Sequence, residues 1–126
     1  MFFHVVMPIG SNPDKTHHQK VISDVASEYG ISPHFPLYAI DNPTFDLQAT
    51  LQDMKQCEFV LANLSLERPS CYYELGLAEA IGKPVYLIAI EGTDIHQTAS
   101  RKLVQFYNTN EELVGLLRDI ISSSIR

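Results

Sequence analysis

The chain has 126 residues, 45% of them hydrophobic and 19% charged, and carries a formal net charge of −6. That is length and apolar content for one folded domain over residues 1–126, and too apolar for a disordered chain. The acidic balance speaks against a nucleic-acid polymer as partner, no apolar run reaches membrane-spanning length, and no signal-peptide pattern opens the chain, so a cytoplasmic protein is expected.

Phe2 to Met7 reads as the first strand, near-continuously apolar and so buried on both faces. The loop Pro8-Ile9-Gly10-Ser11-Asn12-Pro13 then breaks it at the carboxyl end of a central strand. It matches neither GxGxxG nor a P-loop, and an ordinary turn explains it as well as a phosphate cradle does. Thr16 to Tyr29 is an amphipathic helix with Val21, Ile22, Val25, Ala26 and Tyr29 on one side and Gly30 as its stop. His17 and His18 fall in its first turn and read as surface residues. His34 to Ile40 is a second strand, and Pro36 within it belongs at a sheet edge. Asp41-Asn42-Pro43 makes a turn before a helix from Thr44 to Gln56, packed through Phe45, Leu47, Leu51 and Met54. Asp41 and Asp46 flank this turn, where turn formation and pairing with the helix dipole are their simplest roles.

Phe59 to Leu64 and Val85 to Ile90 are short runs of aliphatic and aromatic residues, each read as a buried strand. Between them a helix starts at Pro69-Ser70, with Ser70 as candidate N-cap, and stops at Gly82-Lys83-Pro84. Its leading loop lies at the carboxyl end of a strand, where open α/β sheets place ligands. Glu74, Leu77, Ala78 and Ile81 share one face of this helix, and three of the four are apolar, so a carboxylate is carried toward the sheet. Glu79 lies about 140° further round and is expected in solvent. Carboxylates are seldom buried without a partner or a role. Glu74 is also expected in the first turn, where the helix dipole favours a negative charge by about 0.3–1 kcal/mol. An ionised carboxylate at the mouth of a cleft is a nucleophile or an electrostatic catalyst. Helix capping explains the spacing equally well.

Glu91 to His96 is another polar loop at a strand's carboxyl end. The reading of Ser100 to Gln105 is open, Val104 to Tyr107 is a short fifth strand, and a last helix buries Leu113, Leu116, Leu117, Ile120 and Ile121. Right-handed crossovers then predict an α/β, three-layer doubly wound fold of flavodoxin-like or Rossmann-like type. Its five-stranded, mainly parallel sheet would have the order 2-1-3-4-5. The Pro8–Ser11 and Asn63–Ser70 loops meet at its switch point with Glu74 below. Cys57 and Cys71 read as unpaired thiols. His17 and His18 are adjacent while His4, His34 and His96 are isolated, so neither a metal site nor a cofactor is expected.

MPIG after the first strand, FVLANLS from Phe59 and PSCYYELGLAEAIGKPVYLI from Pro69 resemble the nucleoside 2-deoxyribosyltransferase-like fold and its TIR-like relatives. Members of that group read ADLT, a short loop, then NVYYELGLAHALGKPV. The likeness runs through most of the chain and is strongest over Phe59 to Leu87. Cys71-Tyr72-Tyr73-Glu74-Leu75 also fits the Cys-x-x-Glu-Leu pattern of TIR domains that cleave NAD, and in both groups the matching glutamate is catalytic. The resemblance implies chemistry at a ribosyl C1′. Glu74 attacks, or stabilises an oxocarbenium-like centre, as a base or nicotinamide departs, and water or a second base takes the sugar.

It further implies a small-molecule nucleoside or nucleotide partner and a homo-oligomer. The site would be lined by the backbone of Pro8, Ile9 and Gly10 with Asn63, Ser65 and Ser70, and the candidate acids for the leaving group are Asp41, Asp46 and Asp94. Two departures stand out. Asn63 replaces the usual aspartate and cannot act as a carboxylate, and Leu66-Glu67-Arg68-Pro69 replaces the usual Asn-Pro-Asn turn. Two classes of function therefore stay open. One is an N-glycosidase or deoxyribosyltransferase acting on a nucleoside, nucleotide or NAD-like molecule. The other is a nucleotide-binding or sensing module, catalytically weak or inactive, in which Glu74 is a ligand contact or a cap. A flavodoxin-like FMN carrier fits the topology but lacks the phosphate loop.

Overall fold

A computed structural model of the chain describes residues 1–7, 13–35 and 46–125, and the side chains of all of these except 13–16. Its strands are β1 (Phe2–Val6), β2 (Ser32–His34), β3 (Val60–Asn63), β4 (Val85–Ile90) and β5 (Gln105–Tyr107). The helices are α1 (Pro13–Glu28), α2 (Leu47–Gln56), α3 (Pro69–Ala80) and α4 (Asn110–Ser124). Every strand pairing is parallel, in the order β2-β1-β3-β4-β5. This is the expected α/β topology, with the switch point between β1 and β3. No helix among the described residues is long and apolar enough to cross a membrane.

Strand alternation sorts the core into two layers. Phe3, Val5, Leu61 and Ile88 join Val21, Ile22, Leu117 and Ile121 beneath α1 and α4. Val6, Val60, Ala62 and Leu87 join Met54, Leu75 and Ala78 beneath α2 and α3. His4 lies between Phe3 and Val5 and therefore belongs to the second face. Each crossover returns its helix antiparallel to the strands, so α2 and α3 begin at the sheet's carboxyl end.

Several boundaries differ from expectation for local reasons. The helix expected from Thr16 starts at Pro13, since proline suits a first turn whose N–H groups have no intrahelical partner. The second strand is Ser32–His34, paired with Phe2–His4, rather than His34–Ile40, whose residues from Pro36 on lie outside the described set. It is nonetheless an edge strand, and it tolerates Pro33 for that reason. α2 starts at Leu47, with Asp46 as its N-cap. Phe45 lies outside the described residues, Leu47 is exposed, and Met54 is the fully buried packer.

Pro69 takes the first helical position of α3, so Arg68 is the N-cap, and its donor-only guanidinium makes no capping hydrogen bond. Ser70 is therefore inside the first turn and is not the N-cap. The stripe α3 buries is Cys71, Glu74, Leu75 and Ala78, while Ile81 is exposed. Gly82 ends the helix at φ 76°, and the N–H groups of Gly82 and Lys83 close onto the carbonyls of Glu79 and Ala78. Glu79 is half-buried rather than solvated: its Oε2 accepts from the backbone and hydroxyl of Ser100 at 2.9 and 2.8 Å. A single 3-10 turn fills Arg101–Leu103 before β5, and Thr109 caps α4 by accepting the Glu112 N–H.

Candidate active site

Glu74 is the sixth residue of α3, one turn deeper than the first-turn position expected for it. The helix dipole fades beyond the first turn and lends it little support. At 2% exposure it needs another partner, and that partner is His4. Glu74 Oε1 and His4 Nε2 face each other at 3.9 Å, and both atoms are enclosed without a hydrogen bond. On the other side of the ring, His4 Nδ1–H donates to Asp53 Oδ2 at 2.6 Å. Asp53 Oδ1 accepts from His34 Nδ1 at 3.0 Å, and the His34 ring stacks on Phe2 with centroids 3.8 Å apart. β1, β2, α2 and α3 each supply one member of this row.

The electrostatics follow from the geometry. Burial alone would lower the His4 pKa, but the Glu74 and Asp53 carboxylates outweigh it and hold the ring above its ordinary value. Burial would likewise raise Asp53, yet its two histidines hold it below the usual carboxylate range. Burial, helped by the Glu74 charge, pushes the neighbouring Cys71 thiol up to about 12. Cys71 is thus an inert thiol at neutral pH. Cys57 and Cys71 are both free and buried.

This row corrects the reading of His4 and His34 as isolated, and Asp53 drew no attention in the sequence. One signal was available: a histidine in a strand buried on both faces must find a partner. Naming that partner was out of reach, since Asp53 is 49 residues away.

The second polar cluster lies on the opposite face of the sheet. Asn63 alternates with Ala62 and so points toward α1 and α4, where it is 4% exposed. Its Nδ2 donates to Tyr107 OH at 3.1 Å, and its Oδ1 accepts from the N–H and hydroxyl of Ser65 at 3.0 and 2.5 Å. Tyr107 OH also meets His18 Nε2 at 3.3 Å. His18 is half-buried here, which corrects its reading as a surface residue, whereas His17 is exposed and meets Asn110 at 3.0 Å. Ser65 Oγ accepts the Ile90 N–H at 2.9 Å, joining the loop that follows β3 to the last residue of β4. Tyr72 and Glu67 hold His96 to the same rim through bonds of 3.0 Å each.

The other candidates are dispersed. Ser70 is exposed in the first turn of α3. Asp46 is exposed at the start of α2, its Oδ1 accepting the Ala49 N–H at 3.0 Å, and Asp94 is exposed in the loop after β4. No hydrogen bond or ion pair joins either aspartate to Glu74 among the described residues. Pro8, Ile9, Gly10 and Asp41 lie outside the described residues.

Fold and site together define a doubly wound parallel α/β protein with a buried carboxylate–imidazole row beneath one side of its switch point. Two solved structures share this fold. A 2-deoxyribosyltransferase from Bacillus psychrosaccharolyticus superposes with a TM-score of 0.66 at 17% identity, over 93% of this chain and 96% of the other. A CMP N-glycosidase from Clostridium botulinum superposes with a TM-score of 0.62 at 20% identity, over 96% and 99%. The chain therefore has the nucleoside 2-deoxyribosyltransferase-like fold. Neither a protein-family model nor a curated protein sequence matches it.

Proposed function

We propose that this protein cleaves or transfers the N-glycosidic bond of a nucleoside, nucleotide or NAD-like substrate, with Glu74 acting on the sugar carbon. The observation that carries the reading is Glu74 itself: a carboxylate 2% exposed on α3 and faced by a histidine, in a fold shared with two enzymes named for such chemistry. In the covalent form of the reaction, a Glu74 oxygen bonds to C1′ as the C1′–N bond breaks. The base leaves with the bonding electron pair: a purine or pyrimidine takes up a proton as it goes, whereas nicotinamide, cationic in NAD, leaves neutral without one. Water or a second base then displaces Glu74 and restores the carboxylate. In the dissociative form the same carboxylate stabilises the oxocarbenium-like centre.

The leaving-group proton comes, in this reading, from Asp41, Asp46 or Asp94. Pro8, Ile9, Gly10, Asn63, Ser65 and Ser70 line the nucleotide side. A ligand that touches both Glu74 and Asn63 lies across the carboxyl edge of the sheet, because the two side chains are on opposite faces. A cytoplasmic homo-oligomer belongs to the same reading, on resemblance alone.

The test is a chromatographic screen for released base, with a panel of nucleosides, nucleoside monophosphates and NAD. Wild type is expected to release base from at least one of them, and Glu74→Gln to lower that rate by about 10³-fold or more, as loss of a nucleophile does. Binding of a nucleotide by wild type without any release would overturn the enzymatic reading in favour of a nucleotide-sensing module.

A further inference from the structure

We propose that His4, clamped by Asp53, is the positioning counter-ion of Glu74: an imidazolium that holds one carboxylate oxygen and leaves the other for the substrate sugar. The last clause rests on the functional reading above. The ion pair itself rests on geometry.

His4 is 5% exposed, and its ring lies between two carboxylates. An ionised carboxylate only accepts hydrogen bonds. Nδ1 is committed to Asp53 at 2.6 Å, so Nε2 is the remaining donor, and what it faces is Glu74 Oε1. Satisfying both carboxylates requires both ring nitrogens to carry hydrogen. The 3.9 Å gap is about 1 Å beyond hydrogen-bond length, so the bond forms once the two atoms approach by that amount. Two enclosed polar atoms that each lack a partner and face each other are a costly arrangement unless they meet.

The surroundings favour the charged ring. α2 presents Asp53, α3 presents Glu74 and the neutral Cys71 thiol, and β2 presents His34 on the far side of Asp53. The Cys57 thiol follows α2, and the Lys83 charge acts on Cys57. From β3 come the apolar Val60 and Ala62. Two carboxylates thus meet one buried imidazole. The stacking of Phe2 on His34, and the bond from His34 to Asp53, immobilise the clamp from behind.

The test follows the His4 ring nitrogens by long-range 1H–15N correlation across pH in wild type, Glu74→Gln and Asp53→Asn. In wild type both nitrogens are expected to be protonated, with a midpoint above 6.5. Removing either carboxylate is expected to lower that midpoint by about one pH unit or more. Glu74→Gln is nearly isosteric and settles the matter alone if Asp53→Asn does not fold. A wild-type ring whose Nε2 is already unprotonated at pH 6.5, or a midpoint unmoved by Glu74→Gln, overturns the proposal.

On a substrate that releases base, Asp53→Asn is expected to lower kcat about 10-fold with KM within about two-fold, and to move the alkaline limb of the kcat profile to lower pH. A merely structural Asp53 would leave that limb in place. The two readings fail separately. No base release with a His4 midpoint that still falls in Glu74→Gln removes the enzyme and keeps the ion pair. Base release with an unmoved midpoint removes the ion pair and keeps the enzyme.

Discussion

At the scale of residues, the physics turns on two carboxylates sharing one buried imidazole. Because the folded His4 pKa is raised above 6.5, its stabilisation is fully present below that value and is lost as pH rises through the folded midpoint. Asp53 works the other way: it is held below 3.8, so its contribution is present above that value and disappears as pH falls through the lowered one. The row therefore stabilises most between these two limits, in mildly acidic solution. Thermal denaturation is expected to show the melting temperature falling as pH climbs past 6.5. His4→Leu should remove that slope and cost about 3 kcal/mol in the acidic window, roughly 10 °C, by leaving buried carboxylate without its partner. A slope that survives in His4→Leu would assign the pH dependence to other groups. Glu74 was legible as out of place because an amphipathic helix exposes an exception by its spacing. Its partner was not, because nothing local links β1 to α3.

At the scale of elements, what separates expectation from outcome is mostly where helices begin. Pro69 and Ser70 both suit a helix start, and the competition was decided by the proline, whose fixed φ fits the first helical position. That shift of two residues, from an N-cap at Ser70 to one at Arg68, moves Glu74 out of reach of the dipole and makes His4 its electrostatic partner. Asp46 shows the opposite outcome, a carboxylate whose role is visible in its cap geometry. Asp46→Ala is expected to destabilise the protein by about 1 kcal/mol in a urea titration, while Asp46→Asn, an equally good cap, should stay within about 0.5 kcal/mol of wild type. Equal losses in both variants would mean the charge, and not the cap, is what matters there.

At the scale of the whole molecule, the sheet is a partition. The Glu74–His4–Asp53–His34 row lies under α2 and α3, and the Asn63–Ser65–Tyr107–His18 cluster lies under α1 and α4. The second cluster ties β3 to β5 across β4 and binds α1 to the same rim. Tyr107→Phe removes one hydroxyl from it and leaves the buried Asn63 amide without its acceptor. Chemical denaturation is expected to register a loss of about 1–3 kcal/mol. A change below about 0.5 kcal/mol would mean that the amide re-pairs on its own.

Read alone, the sequence determined the class of the fold and the identity of one carboxylate. Apolar runs of strand length alternating with amphipathic helices leave few topologies once crossovers are right-handed, and helical periodicity identifies a charge on a buried face. Both signals are periodic and local, so they survive without coordinates. Which residues complete the site was decided by tertiary structure. Parallel pairing brings His4, His34, Asp53 and Glu74 together from four separate elements, and strand alternation sends Asn63 to the other side. Those outcomes depend on register and on which face each helix covers, quantities that exist only when distant segments meet.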